Sequence, residues 1–84
     1  MMKQTVVTLY VVPDCPLCER ARVWLTRHGV AYVERDVSRN FGALRDMYLL
    51  TKQRLVPVFA ANGQALVRPT ASELADFFLK ENHH

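Results

Sequence analysis

Cys15-Pro16-Leu17-Cys18 holds both cysteines of this 84-residue chain, three positions apart with a proline between them. Two thiols at this spacing can close a disulfide and reopen it, or contribute to a metal site. As a redox dithiol, the pair divides its work by exposure. The Cys15 thiolate, first in the sequence and at the exposed helix end, attacks a partner disulfide and forms a mixed disulfide. Cys18, one turn further in, then attacks Cys15 and releases the reduced partner. The order matters because a thiol buried among apolar groups has a raised pKa and attacks poorly. The alternatives are two structural core cysteines, or half of a zinc site. Zinc needs four ligands, and only His28 is otherwise available nearby.

The elements around the pair must place it at a helix start. Thr5 to Val12 is rich in β-branched and aromatic residues and reads as a strand. From Cys15 or Pro16 to about His28 the apolar residues recur at helical spacing, with Gly29 as the stop. Pro16 suits the first helical position, since its ring fixes a helical φ and its missing N–H had no partner there. Thiols at such a junction face unpaired N–H groups and the positive end of the helix macrodipole, which favour thiolate. Asp14 is expected to cap the helix by accepting those N–H groups. A carboxylate beside Cys15 would instead raise the thiol pKa by like-charge repulsion.

Further along, Leu17, Ala21, Trp24, Leu25 and His28 fall on one face of the first helix. Val30 to Val37 reads as a second strand, and Phe41 to about Lys52 as a second helix with a stripe of Phe41, Leu44, Met47, Tyr48 and Thr51. Leu55 to Ala61 is a third strand with Pro57 near its beginning. Asn62-Gly63 is a two-residue hairpin signal leading into a fourth strand, Gln64 to Arg68. Thr70-Ala71-Ser72-Glu73 has capping-box spacing and opens a last helix carrying Leu74, Phe77, Phe78 and Glu81. The order β-α-β-α-β-β-α predicts an α/β fold: a mixed four-stranded sheet with helices on both faces, parallel at the start and antiparallel in the late hairpin.

Length and composition fit one domain over residues 1–84, half of it hydrophobic. The net charge of +3 is scattered, without a basic stripe, so no nucleic-acid partner is expected. No signal-peptide core and no membrane-length apolar run occurs, and a cytoplasmic, monomeric protein without a membrane partner is expected. In a reducing compartment a lone cysteine pair points to catalysis or metal rather than a structural staple. His83-His84 has the look of a purification-tag remnant and is set aside.

C-P-L-C after the first strand, Val56-Pro57 before the third and the element order together resemble the glutaredoxin branch of the thioredoxin fold, over about residues 5 to 80. Cys15 and Pro57 stand 42 positions apart (57 − 15), as is typical of that family. The resemblance implies a thiol–disulfide oxidoreductase with a cis bond before Pro57, and a Val56 backbone free to pair with an extended substrate segment. Within the branch, Asp36-Val37-Ser38 and Arg68-Pro69 are similar to the glutaredoxin-like redoxins that serve ribonucleotide reductase and are recharged by thioredoxin reductase. The Trp-Ser-Gly-Phe run of those redoxins is replaced here by Ala65-Leu66-Val67.

The glutathione-binding pattern of the family is incomplete. Val12 stands where a lysine is usual, Leu17 where a tyrosine is usual, and Leu55 in place of the threonine of Thr-Val-Pro. No Gly-Gly-acidic run occurs around Arg68 to Ser72. Arg54, with Lys52, is what remains as a carboxylate partner. The resemblance therefore implies Cys15 and Cys18 as catalytic, Asp14, Pro16 and Pro57 as supporting, and Leu17, Arg54, Val56, Arg68 and Thr70 around the substrate. No bound cofactor is implied beyond the dithiol itself. A glutathione-dependent glutaredoxin is the alternative, and a thioredoxin-fold adaptor or metal-carrying module is the alternative of another class.

Overall fold

The computed structural model describes residues 6–79 of the chain. Val7–Val11 forms β1, Pro16–Arg27 α1, Tyr32–Asp36 β2, Phe41–Thr51 α2, Val58–Ala61 β3 and Gln64–Val67 β4; α3, Ala71–Leu74, continues as a π-helical turn over Ala75–Leu79. The element order is the expected one, and the sheet order is β2-β1-β3-β4. β1 runs parallel to β2 and antiparallel to β3, and β3 pairs antiparallel with β4. The expected start at Thr5, the helical Glu81 and His83-His84 lie outside the described residues.

Strand alternation divides the sheet into two faces. Val7, Leu9 and Val11 point to one side with Phe59, which is in register with Leu9. There Phe78 packs against both Phe59 and Trp24, so α1 and the C-terminal helix share this face. Tyr10, Arg35 and Val58 occupy the other side, where Arg35 lies over the Tyr10 ring and pairs with Asp46 of α2 at 2.8 Å. Helices thus cover both faces. Leu9, Phe59, Leu25, Val7 and Cys18 are among the largest fully buried side chains, so the dithiol helix rests directly on the main core.

Turn chemistry follows the sequence at three places. Gly29 adopts φ 65 after α1, and Asn62 and Gly63 take φ 54 and 76, the doubly left-handed hairpin that Asn-Gly favours. Thr70 Oγ1 accepts the Glu73 N–H at 3.1 Å while the Glu73 carboxylate accepts the Thr70 N–H at 2.8 Å, a complete capping box.

Two apolar stripes differ from expectation. In α1 the buried line is Cys18, Ala21 and Leu25, while Leu17 is 40% exposed and His28 lies outside, stacked on Trp24. In α2 the buried residues are Ala43 and Met47; Phe41 is 87% exposed and Tyr48 points outward. Two small or flexible residues let α2 sit close to the sheet, and the aromatics that dominate its hydrophobicity fall on the opposite edge. β3 also begins three residues later than expected, at Val58, because the bend at Val56-Pro57 precedes its pairing with β1.

Candidate redox site

The end of β1 turns at Pro13-Asp14, where exposed Asp14 takes φ 55, a left-handed conformation that aspartate tolerates. That turn delivers Cys15 in extended conformation (φ −118, ψ 105) as the N-cap of α1, with Pro16 at the first helical position. Cys15 Sγ accepts the N–H of Cys18 at 3.1 Å, and the Cys15 carbonyl accepts the Glu19 N–H at 3.0 Å. The expectation that Asp14 caps the helix is therefore corrected. The sulfur itself is the cap, because the left-handed turn at Asp14 places the next residue, not the aspartate, over the helix axis. A sulfur in this seat is directed at the unpaired N–H groups of the first turn.

Cys18 lies one turn below, with 0% of its surface exposed, while Cys15 is partly exposed; both thiols are free. Burial pushes the Cys18 thiol up to about 11, and the neighbouring Cys15 sulfur adds to the rise. The Val12 backbone N–H and the Arg22 guanidinium act in the opposite direction. The two thiols thus have the asymmetry that attack and resolution require, one accessible and one protected.

Across from the dithiol stands the Val56-Pro57 bend, whose peptide bond is cis, as the resemblance implies. The expectation of a free Val56 backbone is corrected on one side. Arg68 folds back from the end of β4, and its Nε donates to the Val56 carbonyl at 2.7 Å, while its own N–H donates to the Pro57 carbonyl at 3.0 Å. Arg68 holds φ 46 to make both contacts. The Val56 carbonyl is therefore occupied, and its N–H makes no backbone hydrogen bond among the described residues. Arg68 is neither simply solvated nor only a partner contact; it fastens the β4–α3 corner to the proline bend.

Between these walls a groove of about 350 Å³ runs beside Leu17, bounded by Arg20, Trp24, Pro57, Arg68 and Pro69. Of the residues expected around the substrate, Leu17 and Arg68 line it and Val56 is buried behind Pro57. Arg54 and Thr70 do not line it. Arg54 lies over the Tyr48 ring at 6.0 Å, beyond the left-handed Lys52 that ends α2, and Thr70 is engaged in the capping box. Arg20 and Trp24 were not singled out as site residues by sequence; their i+3 and i+7 spacing from Leu17 is the signal that places them along one edge of α1. Among the described residues no group of three or more His, Cys, Asp or Glu side chains is placed to hold a metal ion. No helix there is long and apolar enough to cross a membrane.

The glutaredoxin family model matches residues 7–66, from β1 into β4 and across the whole dithiol corner. The chain belongs to the glutaredoxin family. A glutaredoxin-like 8.6 kDa protein encoded in the rubredoxin operon of Clostridium pasteurianum is 26% identical over 68 residues, covering 81% of this chain and 91% of that protein. The global transcriptional regulator Spx of Bacillus subtilis is 48% identical over 31 residues, which is 37% of this chain and 24% of Spx. The chain thus spans about a quarter of the length of that regulator. The crystal structure of a glutaredoxin from Archaeoglobus fulgidus superposes with a TM-score of 0.76 over 83% of this chain and 82% of that one; at 19% identity this likeness concerns the thioredoxin-like fold alone. Membership in this family supports thiol-redox chemistry in the general sense.

Proposed function

We propose that the chain is a dithiol electron carrier that reduces protein disulfides, with Cys15 attacking, Cys18 resolving and thioredoxin reductase restoring the dithiol. The observation that carries this reading is Cys15 Sγ seated as the helix cap over a fully buried Cys18. In the first step the Cys15 thiolate attacks one sulfur of the partner disulfide. A Cys15–partner bond forms, the partner S–S bond breaks, and the electron pair leaves on the second partner sulfur. In the second step Cys18 attacks Cys15, the chain is oxidised to its disulfide and the partner leaves as a dithiol.

Two features support a protein disulfide over glutathione. The glycine pair and acidic residue that hold glutathione in the family have no counterpart around Arg68 to Ser72, and Arg54, the remaining carboxylate partner, lies over Tyr48 and does not line the groove. The Val56 N–H remains for an extended partner segment, with the Leu17 and Trp24 groove beside it for an apolar side chain. A protein that carries a disulfide in an exposed segment, such as ribonucleotide reductase, fits that description in a cytoplasmic, monomeric carrier.

The identity to Spx, a transcriptional regulator, favours a second reading, a thioredoxin-fold adaptor that uses the same cysteines without turning over. Repeated reduction of a protein disulfide driven by dithiothreitol separates the two. Many equivalents reduced per chain support the carrier. A single equivalent, with the chain left oxidised, supports the adaptor.

A further inference from the structure

On the side of α1 away from the groove, a second cleft of about 290 Å³ lies between α1, the end of β1 and β2, bounded by Val12, Pro13, Arg22, Glu34, Asp36 and Arg39. It matters because a resolving thiol has a proton to lose while a partner covers the front. Cys18 has no exposed surface, and in the mixed disulfide the partner occupies the Leu17 side. The rear cleft reaches both groups that favour a charged Cys18, the Val12 N–H and the Arg22 guanidinium. Arg22 is one turn beyond Cys18 on the same face of α1. Its position is fixed, since Nε and Nη2 make a forked pair with the Glu34 carboxylate of β2 and Nη1 reaches Glu19 at 2.8 Å.

We infer that Arg22 is a positioning residue for resolution: pinned by Glu34 one turn beyond Cys18, it sets the field in which Cys18 gives up its proton. This rests on the dithiol-carrier reading above. Cys18 loses its proton to water, its sulfur bonds to Cys15, the Cys15–partner bond breaks, and the departing partner sulfur keeps the electron pair and takes a proton from solvent. No oxidant beyond the mixed disulfide is required.

The charged groups on the elements around Cys18 are few. α1 contributes Arg22 and Glu19, with the Cys15 sulfur above. β2 contributes Glu34 and Asp36, followed by Arg39. Tyr10, the titratable residue of β1, is on the other face of the sheet with Arg35. Arg68, at the proline bend, is bound to the Val56 carbonyl; on α3 Glu73 is committed to the Thr70 cap, and Asp76, on the π-helical turn beyond it, is exposed. Arg22 is thus the cation one turn from the resolving thiol on its face of α1, and Glu34 the carboxylate that both holds and partly neutralises it.

The two thiols can be timed separately by stopped-flow absorbance with dithiobis(nitrobenzoate), which releases one coloured thiolate when Cys15 attacks and a second when Cys18 resolves. Wild type lacking a first phase, or releasing a single equivalent, would overturn the carrier reading itself. With both phases present, Arg22→Gln is expected to leave the first unchanged, slow the second roughly threefold or more at neutral pH, and move its pH midpoint upward. Glu34→Gln is expected to move that midpoint the other way, because it removes a negative charge from the cleft. A pure bracing role predicts a second phase disturbed alike in both variants with the midpoint fixed. A midpoint unmoved in Arg22→Gln, or moved in the same direction by both changes, overturns the inference.

Discussion

The dithiol corner and the proline bend opposite it are built in contrasting ways. The dithiol corner is local: a left-handed turn at Asp14, a sulfur cap reaching three residues ahead, and a helix whose buried line begins at Cys18. The proline bend is assembled at long range, since Arg68 comes from the far end of the β3–β4 hairpin, 12 residues away in sequence, to occupy the Val56 carbonyl. The chemistry is therefore carried by short-range geometry, and the choice of partner by tertiary contacts. Changes in one region should alter rate constants for sulfur attack, and changes in the other should alter partner affinity.

The largest separation is expected inside the dithiol. Cys15→Ser abolishes all disulfide reduction, while Cys18→Ser still attacks and accumulates the mixed disulfide, visible as a mass increase equal to the partner. Equal behaviour of the two variants would erase the division of roles. Next, Arg68→Ala unfastens the proline bend that presents the Val56 N–H and is expected to raise KM for a protein disulfide about threefold to tenfold, with the first coloured phase from a small aromatic disulfide unchanged. A matching loss in that first phase would show that the two corners are not separable.

A smaller, pH-dependent effect belongs to Cys18. Its folded pKa is raised, so the reduced protein holds this contribution to stability below the ordinary thiol value of 9.0 and loses it as pH climbs toward about 11. Urea denaturation of the reduced chain should weaken across that window, and Cys18→Ser should weaken less. Smallest of the set, Thr70→Ala removes one half of the capping box and is expected to cost about 1 kcal/mol, read as a lower Tm. Turnover should be unaffected, since Thr70 stands outside the groove.

Much of the dithiol corner was legible in the sequence because its determinants are near neighbours: strand, turn, Cys-Pro-Leu-Cys, helical periodicity and Gly29. The same holds for Asn62-Gly63 and the Thr70 capping box. The identity of the cap is not legible there, because aspartate and cysteine both precede the helix and only the φ of Asp14 decides which one reaches it. The α2 stripe misled because counting apolar residues ignores size; Ala43 and Met47 face the sheet while Phe41 and Tyr48 do not. Arg68 over Val56 and Arg22 over Glu34 each join residues 12 apart, the first brought together by the β3–β4 pairing and the second by the docking of α1 beside β2. No local pattern encodes those contacts.

The account stands most directly on the source of electrons. On one protein disulfide, NADPH with thioredoxin reductase is set against NADPH with glutathione and glutathione reductase, the chain being the coupling component in both. Sustained NADPH oxidation with thioredoxin reductase, and background rates with glutathione, is the expected result. Turnover with glutathione alone would contradict the account.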